Sequence, residues 1–408
     1  MLIAILIAGA AVRLSLAPGE GNGDTATYRS WMESSVKFGL VESYERQTTS
    51  GTLPTYPPVS LLFFRSAGLL YQWTYGPDYR VIEPAHGVFA KIPAMGADLA
   101  TSVMLFVLFA RWKQVRKGLL AAAVYALQPA VVHDSAVWGQ TDSLYTFFVF
   151  ATLVMMIWGR RGMGAALFTL AVLTKPQALL FAPLIVFLTP WNLRTMLWMA
   201  ATSALTSGTV LLPFFLQGKL PLVLQTFNIM HVMHISRTSW NAYNLWWLLL
   251  KNTAWDLPST SGFFLGISAA QIGMMLTGAL YCSVLLGLRT KLRGDLSHVE
   301  NALWVFFAAG FVALAVFLTG TDMHERYLFP FIALALPWGL QKRRNAVAYG
   351  VISVLFFLNM TVAFHHEILT QVFRDSITNV PVIIAGVQIV ALLWLCEIMT
   401  RASDGVTT

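Results

Sequence analysis

Cysteine and charge are what this 408-residue sequence has least of. Its two cysteines, Cys282 and Cys396, lie far apart inside apolar runs, which excludes a disulfide framework and a Cys-x-x-Cys metal site. Only 11% of the residues are charged and 57% are hydrophobic, whereas soluble domains carry about 25% charged residues. An ordinary water-soluble fold is thereby excluded. Short alternating segments, the mark of a transmembrane β-barrel, are also missing, because the apolar runs are long and continuous. There is no P-loop, no GxGxxG after a strand, no GxSxG and no HExxH. No duplicated half is visible, which counts against the repeat architecture common among transporters. The opening MLIAILIAGAAVRLSLA lacks a basic leader, and its arginine, Arg13, comes late. A retained first span is expected there rather than a cleaved signal.

What is present is the composition of an all-α polytopic integral membrane protein. A spanning helix needs ~20 apolar residues, and runs of this kind cover 1–17, 89–110, 118–133, 143–158, 197–213, 262–287, 299–318, 328–341, 346–364 and 380–400. The stretch 164–190 is interrupted at Lys175-Pro176 and reads either as one kinked span or as a hairpin of two half-helices. Four short basic loops, RWKQVRK (111–117), GRRG (159–162), LRTKLRG (288–294) and QKRRN (341–345), share one side only if it is a hairpin. The hairpin gives about twelve segments with both ends cytosolic, and a multi-pass membrane protein. Segments 18–87, 133–142, 214–261, 319–327 and 365–379 then face outward. The net charge of +8 is absorbed by loop lysine and arginine facing the cytosol, so no nucleic-acid partner is expected. The whole chain reads as a single membrane domain, with a core over 1–260 and C-terminal helices over 262–408. The first outer segment is about seventy residues long, far beyond an ordinary connection. It carries YPPVSLLFF (56–64) and AGLLYQW (67–73), which are expected to form short interfacial helices.

Charged groups near hydrocarbon cost roughly 2.5–3.5 kcal/mol each on insertion scales, so each asks for a reason. Asp24 follows the pliable GEGNG and reads equally as a general base at the membrane edge or as the N-cap of the helix that begins TATYRSWMES. In HDSAVWGQTDSLY (133–145), Asp142 either caps the next span or belongs to a site, and Trp138 alone is an ordinary interfacial anchor. Lys175 needs an anionic partner, either a carboxylate such as Asp98 or a phosphate. Lys91 and Asp98 are seven residues apart, about 10 Å along a helix, too far to pair. Each needs another partner, and Asp98 is expected to serve helix packing. In TGTDMHERYLFP (319–330), Arg326 offers a fork of donors suited to phosphate or carboxylate, His324 can donate nearby, and Glu325 neutralises one of them. Metal ligation by Asp322, His324 and His365 or His366 has no supporting spacing. The segment MHVMHISR (230–237) adds His231, His234 and Arg237, as phosphate ligands or as surface decoration.

In order along the chain, GDTATYRSW (23–31), YPPVSLLFF (56–64), KIPAMGADLATS (91–102), LQPAVVHDSAVWGQTDSLY (127–145), LTKPQALLFAPL (173–184), SWNAYNLWWLL (239–249) and MHERYLFP (323–330) resemble one family. They are similar to the polyprenol-phosphate-sugar-dependent glycosyltransferases of the GT-C superfamily, closest to prokaryotic relatives of the GPI-anchor second mannosyltransferase. The resemblance implies a helical core with a long first outer loop and an inverting transfer of a hexose, mannose above all, from a polyprenyl-phosphate carrier to a lipid or glycan acceptor on the outer face. It implies Asp24 as the catalytic base and Asp142 as a second acidic position for acceptor positioning or help to the base. Arg326, His324 and Lys175, with Arg237 and Arg13 weaker candidates, are the cations expected for the donor phosphate. Gln140, Trp138, Tyr56 and Asn241 are expected to position sugar or acceptor. No cofactor is expected, and a divalent ion stays open. GKLP (218–221) and everything from 346 onward match nothing in the family.

The chemistry is consistent with that set. An acceptor hydroxyl loses its proton as it attacks sugar C1, so one carboxylate suffices, unlike the paired acids of a glycosidase. A phosphate leaving group needs no acid, only positive charge where negative charge collects. The rivals are a transporter or flippase of a lipid-linked or polar solute, a glycan polymerase or ligase with a diphosphate-linked donor, and an inactive scaffold.

Overall fold

The computed structural model describes residues 1–48, 51–228, 236–251, 253–365 and 379–400. His231, His234 and His366 lie outside the described residues. The chain is predominantly helical, and its backbone divides into two compact units, Met1–Val232 and Met233–Thr408.

The first unit runs α1 (Leu2–Leu16), α2 (Gly23–Lys37), α3 (Pro58–Tyr75), α4 (Ala85–Arg111), α5 (Val115–Ala126), α6 (Pro129–Val132), a π turn (His133–Trp138), α7 (Asp142–Ile157), α8 (Arg161–Thr174), a 3-10 turn (Pro176–Phe181), α9 (Ala182–Leu188), α10 (Leu193–Leu216) and α11 (Leu220–Gln225). Helix α7 is its axis. All but one of its residues are buried, which its nearly unbroken apolar sequence permits, and it packs between α4 and α8. Helix α10 is the opposite case: Leu193, Leu205 and Phe215 are all about 70% exposed. An apolar surface of that extent is stable against lipid and costly in water.

The second unit contains α12 (Leu245–Leu250), α13 (Thr253–Asp256), a two-stranded hairpin (Gly262–Phe264 with Ile267–Ser268), α14 (Ala269–Lys291), α15 (Val299–Thr319), α16 (Phe329–Leu334), α17 (Leu336–Gly339), α18 (Arg343–Phe364) and α19 (Val380–Thr400). Its core is α15, the most buried of the long helices.

Among the described residues, six helices are long and apolar enough to span: α4, α10, α14, α15, α18 and α19. A seventh span arises if α5 and the segment Pro129–Trp138, bent by 46° at the break, count as one. Four shorter apolar helical segments, Leu2–Leu16, Asp142–Ile157, Arg161–Thr174 and Pro176–Leu188, accompany them. Two expected spans differ. The run 328–341 is two short helices, α16 and α17, because Pro330 and Pro337 each start a new helix. Eleven residues at about 1.5 Å each cannot cross a bilayer. The run expected from 262 begins with the hairpin, and its helix starts only at Ala269, where Ser268 and Gln271 form a capping box.

The long first outer segment folds onto the first unit. Helix α2 is fixed at its start by the Asn22–Thr25 capping box, and α3 starts at Pro58, in the first turn where proline needs no donor. Lys219 bonds Glu42 at 2.6 Å and Glu45 at 2.5 Å, tying the end of α10 to the loop after α2; these two bonds raise its pKa above the ordinary lysine value.

Candidate active site

Three buried cations of the first unit, Arg13, Lys91 and Lys175, each have their own partners. Arg13 donates through Nε to Asp98 at 3.1 Å and through Nη1 to the carbonyls of Gly9 and Ala126, with both charged side chains almost wholly buried. Asp98 therefore serves helix packing, joining α1 to α4 as expected. Arg13 is held by that carboxylate. Lys91, fully buried, gives its three ammonium hydrogens to three main-chain carbonyls, Ala17 at 3.0 Å, Gly19 at 2.8 Å and Val137 at 3.1 Å. Lys175 donates to Asp142 Oδ1 at 2.8 Å with neither side chain more than 1% exposed. Of the two partners open to Lys175 in the sequence it takes a carboxylate, and that carboxylate is Asp142, not Asp98.

These contacts place Asp24. Lys91 draws the chain after α1 and the π turn onto one ammonium group, so the start of α2 lies beside Trp138. Thr25 Oγ1 donates to the Trp138 carbonyl. The π turn closes with Gly139 N–H bonding Asp134 O, five residues back, and Gly139 sits at φ +84°. A side chain there would meet Lys91 Cγ at 3.0 Å, so only glycine allows this close approach. Such bulges mark functional positions in helices. Here the bulge delivers Gln140, fully buried, whose Nε2 donates to Asp24 Oδ2 while its Oε1 accepts from Tyr28 OH at 3.0 Å.

Asp24 is thus the second helical residue of α2, half-buried, with Asn22 as the N-cap. The capping alternative for Asp24 fails because Asn22 already accepts from the first-turn backbone N–H of Asp24 at 3.0 Å. Asp142 is the first residue of α7, Thr141 precedes it without a side-chain cap, and the Asp142 carboxylate turns to Lys175.

The two carboxylates are joined by a chain of contacts. Asp24 bonds Gln140, Gln140 bonds Tyr28, and Tyr28 OH lies 3.5 Å from Tyr56 OH. The Tyr56 ring lies 5.2 Å from the Lys175 ammonium, with Tyr145 at 5.6 Å on the same cation. Both distances are within cation–π range. Tyr56 is aimed by its carbonyl, which accepts from Tyr44 OH at 2.7 Å; burial raises the pKa of that phenol well above its ordinary value and keeps it a donor. Tyr28, Thr25 and Asn22 are the functional-region residues that the sequence did not single out, and Lys91 was singled out only as a charge in need of a partner. The spacing of Asp24 and Tyr28, four residues apart and so on one helix face, is a signal that was there to read.

In the second unit, described by itself, Asp322 adopts φ +57° and accepts from Arg237 N–H at 2.7 Å and Ser259 Oγ at 2.8 Å. Arg237 lies against the faces of Trp240 and Trp255, at 4.5 and 4.2 Å, and donates Nη1 to the Trp255 carbonyl. Trp240 stacks on His324 at 5.5 Å with the rings 14° apart. Arg326 Nη1 bonds Glu325 at 2.9 Å and comes within 3.4 Å of His324 Nδ1, so Glu325 does neutralise its neighbour. Asn241 sits at φ +63°, and its carbonyl accepts from Asn359 at 2.8 Å. Among the described residues, no three His, Cys, Asp or Glu side chains gather as metal ligands.

No protein-family model and no curated protein matches the chain. Among solved structures it is similar to the oligosaccharyltransferase AglB of Archaeoglobus fulgidus in complex with an inhibitory peptide and a dolichol-phosphate, at 13% identity and a TM-score of 0.46, over 98% of this chain and 55% of that one. It is also similar to the Archaeoglobus fulgidus oligosaccharyltransferase tethered through a disulfide to an acceptor peptide containing the NVT sequon, at 13% identity and a TM-score of 0.45, over 98% of this chain and 54% of that one. The chain spans little more than half the length of the solved proteins it resembles.

Proposed function

We propose that the chain is an inverting GT-C-type glycosyltransferase. It moves a hexose, mannose above all, from a polyprenyl-phosphate carrier to the hydroxyl of a lipid or glycan acceptor at the outer face of the plasma membrane. The observation that carries this reading is Asp24, a half-exposed carboxylate on the first turn of α2, held in one orientation by the buried amide of Gln140. The amide orients the carboxylate and adds no charge of its own, which suits a base. The acceptor oxygen attacks sugar C1 from the face opposite the phosphate, its proton passes to Asp24, the C1–O bond to phosphate breaks, and the electron pair leaves on the phosphate. Gln140 and Tyr28 position the base. Asp142 acts through Lys175, whose charge it balances beneath the Tyr56 ring.

For the donor phosphate we assign Arg326 and His324 on the chemistry of their donors, with Arg237 a weaker candidate because Trp255 already occupies one of its donors. Tyr56, Trp138 and Asn241 are assigned to sugar or acceptor positioning, Trp138 through the carbonyl that anchors α2. No divalent ion is assigned; Asp24 accepts from Gln140 and Asp142 from Lys175.

The test uses purified wild type and Asp24→Asn with radiolabelled polyprenyl-phosphate mannose and a membrane lipid extract. Asn keeps the shape and loses the base, so transfer should fall by about 10²–10⁴-fold at unchanged donor binding. Absence of donor binding by wild type would overturn the reading in favour of a transporter.

A further inference from the structure

The end of the first unit remote from Asp142 carries a second, unassigned polar cluster. Helix α7 places it: Asp142 is its first residue and Trp158 follows its last, about 24 Å away at 1.5 Å per residue. Two open cavities meet there. One, of about 370 Å³, is lined by Arg160, Arg161, Met163, Thr195 and Trp198. The other, of about 390 Å³, is lined by Val107, Arg111, Trp158 and Arg160. Arg160 lines both.

These arginines lack carboxylates in their own stretches of chain. No Asp or Glu occurs between Asp98 and Asp134, nor between Asp142 and Asp256. Arg111 lies 5.3 Å over the Trp158 ring. Arg161 Nε and Trp158 Nε1 are buried and have no hydrogen-bond partner among the described residues. Trp198 is seated against the Gly162 backbone, where an added Cβ would fall 2.3 Å from its Nε1. Buried donors without acceptors are costly, and a bound acceptor removes the cost. Each cavity also has an apolar wall, Met163 and Trp198 in one and Val107 in the other.

We infer that this end of the unit is a binding site for a lipid phosphate headgroup, gripped by the Arg160 and Arg161 forks with the acyl chains along the apolar walls. A planar guanidinium binds phosphate through two parallel bonds, which a lysine cannot reproduce. The apolar walls beside the forks select a lipid phosphate over a free one. Indole rings at this level suit the membrane–water boundary.

The experiment titrates the delipidated full chain in detergent with short-chain phosphatidylglycerol, phosphatidylcholine and inorganic phosphate, read by native mass spectrometry. Phosphatidylglycerol should bind wild type, and Arg160→Gln with Arg161→Gln should weaken it on the order of tenfold. Arg160→Lys with Arg161→Lys should recover only part of the loss. The control Arg343→Gln with Arg344→Gln, at a different basic loop, should change nothing. Should the double glutamine variant be unstable, Arg160→Gln alone, at an exposed position, should lower the affinity in the same direction. Unchanged binding in the glutamine variants, full recovery with lysine, equal loss in the control, or equal binding of inorganic phosphate would each overturn the inference.

Discussion

Asp24 and Asp142 start from similar positions in sequence, each an aspartate at the opening of a helix, and they end in opposite states. Asp142 is sealed inside the first unit against an equally buried lysine, so its charge is cancelled where it stands. Asp24 stays half-exposed and is held by an uncharged amide. A carboxylate balanced by a lysine is an anchor. An amide orients a carboxylate and adds no charge of its own. The two acids differ in burial and in the bonds described for them, and a contact chain through Tyr28 and Tyr56 joins them.

The sharpest way to break this comparison is to exchange the losses. Asp24→Asn should cost about 10²–10⁴-fold in transfer while the thermal midpoint in detergent stays near wild type. An equally inactive and equally stable Asp142→Asn would make the two acids alike and remove the distinction. The next effect is on stability. Lys175→Met removes the ammonium bonded to the buried Asp142 carboxylate and should cost about 3–5 kcal/mol. The double variant Lys175→Met with Asp142→Asn should regain much of it, which paired thermal denaturation curves would reveal. Smaller still, Gln140→Ala should reduce kcat by about tenfold with KM little changed, since it frees the base to rotate without touching the donor. Steady-state kinetics over a donor series separates the two constants, and a change confined to KM would assign Gln140 to substrate contact. The smallest effect is at the helix start. Asn22→Ala should cost about 1 kcal/mol of stability through the lost cap, seen as a modest fall in melting midpoint.

How much of this was legible depended on where each partner lay in the sequence. Apolar run length gave the helical membrane class and most of the long helices directly. It misjudged 328–341, where two prolines divide a run whose composition alone resembles a span. Glu325 and Arg326 are adjacent, so their pairing could be read from the motif. The Asp24–Gln140, Arg13–Asp98 and Lys175–Asp142 contacts close over 116, 85 and 33 residues. Nothing local chooses between Asp98 and Asp142 as the partner of Lys175, so only the packing of α7 against α8 decides it. What holds Lys91 was hidden for another reason. Its partners are main-chain carbonyls, which every residue has and no sequence pattern displays.

The turn from His133 to Trp138 is wound one residue wider than an α-helix, as the bond from Gly139 back to Asp134 shows. Removing any one residue from it would let the segment rewind into the tighter helix. The wide turn that carries Gln140 to Asp24 would then be lost. The amide would swing away from Asp24 even with every side chain intact. This short stretch should therefore tolerate exchanges of residue better than changes of length, so that insertions and deletions, elsewhere absorbed by loops, are the alterations its lineage can least accept.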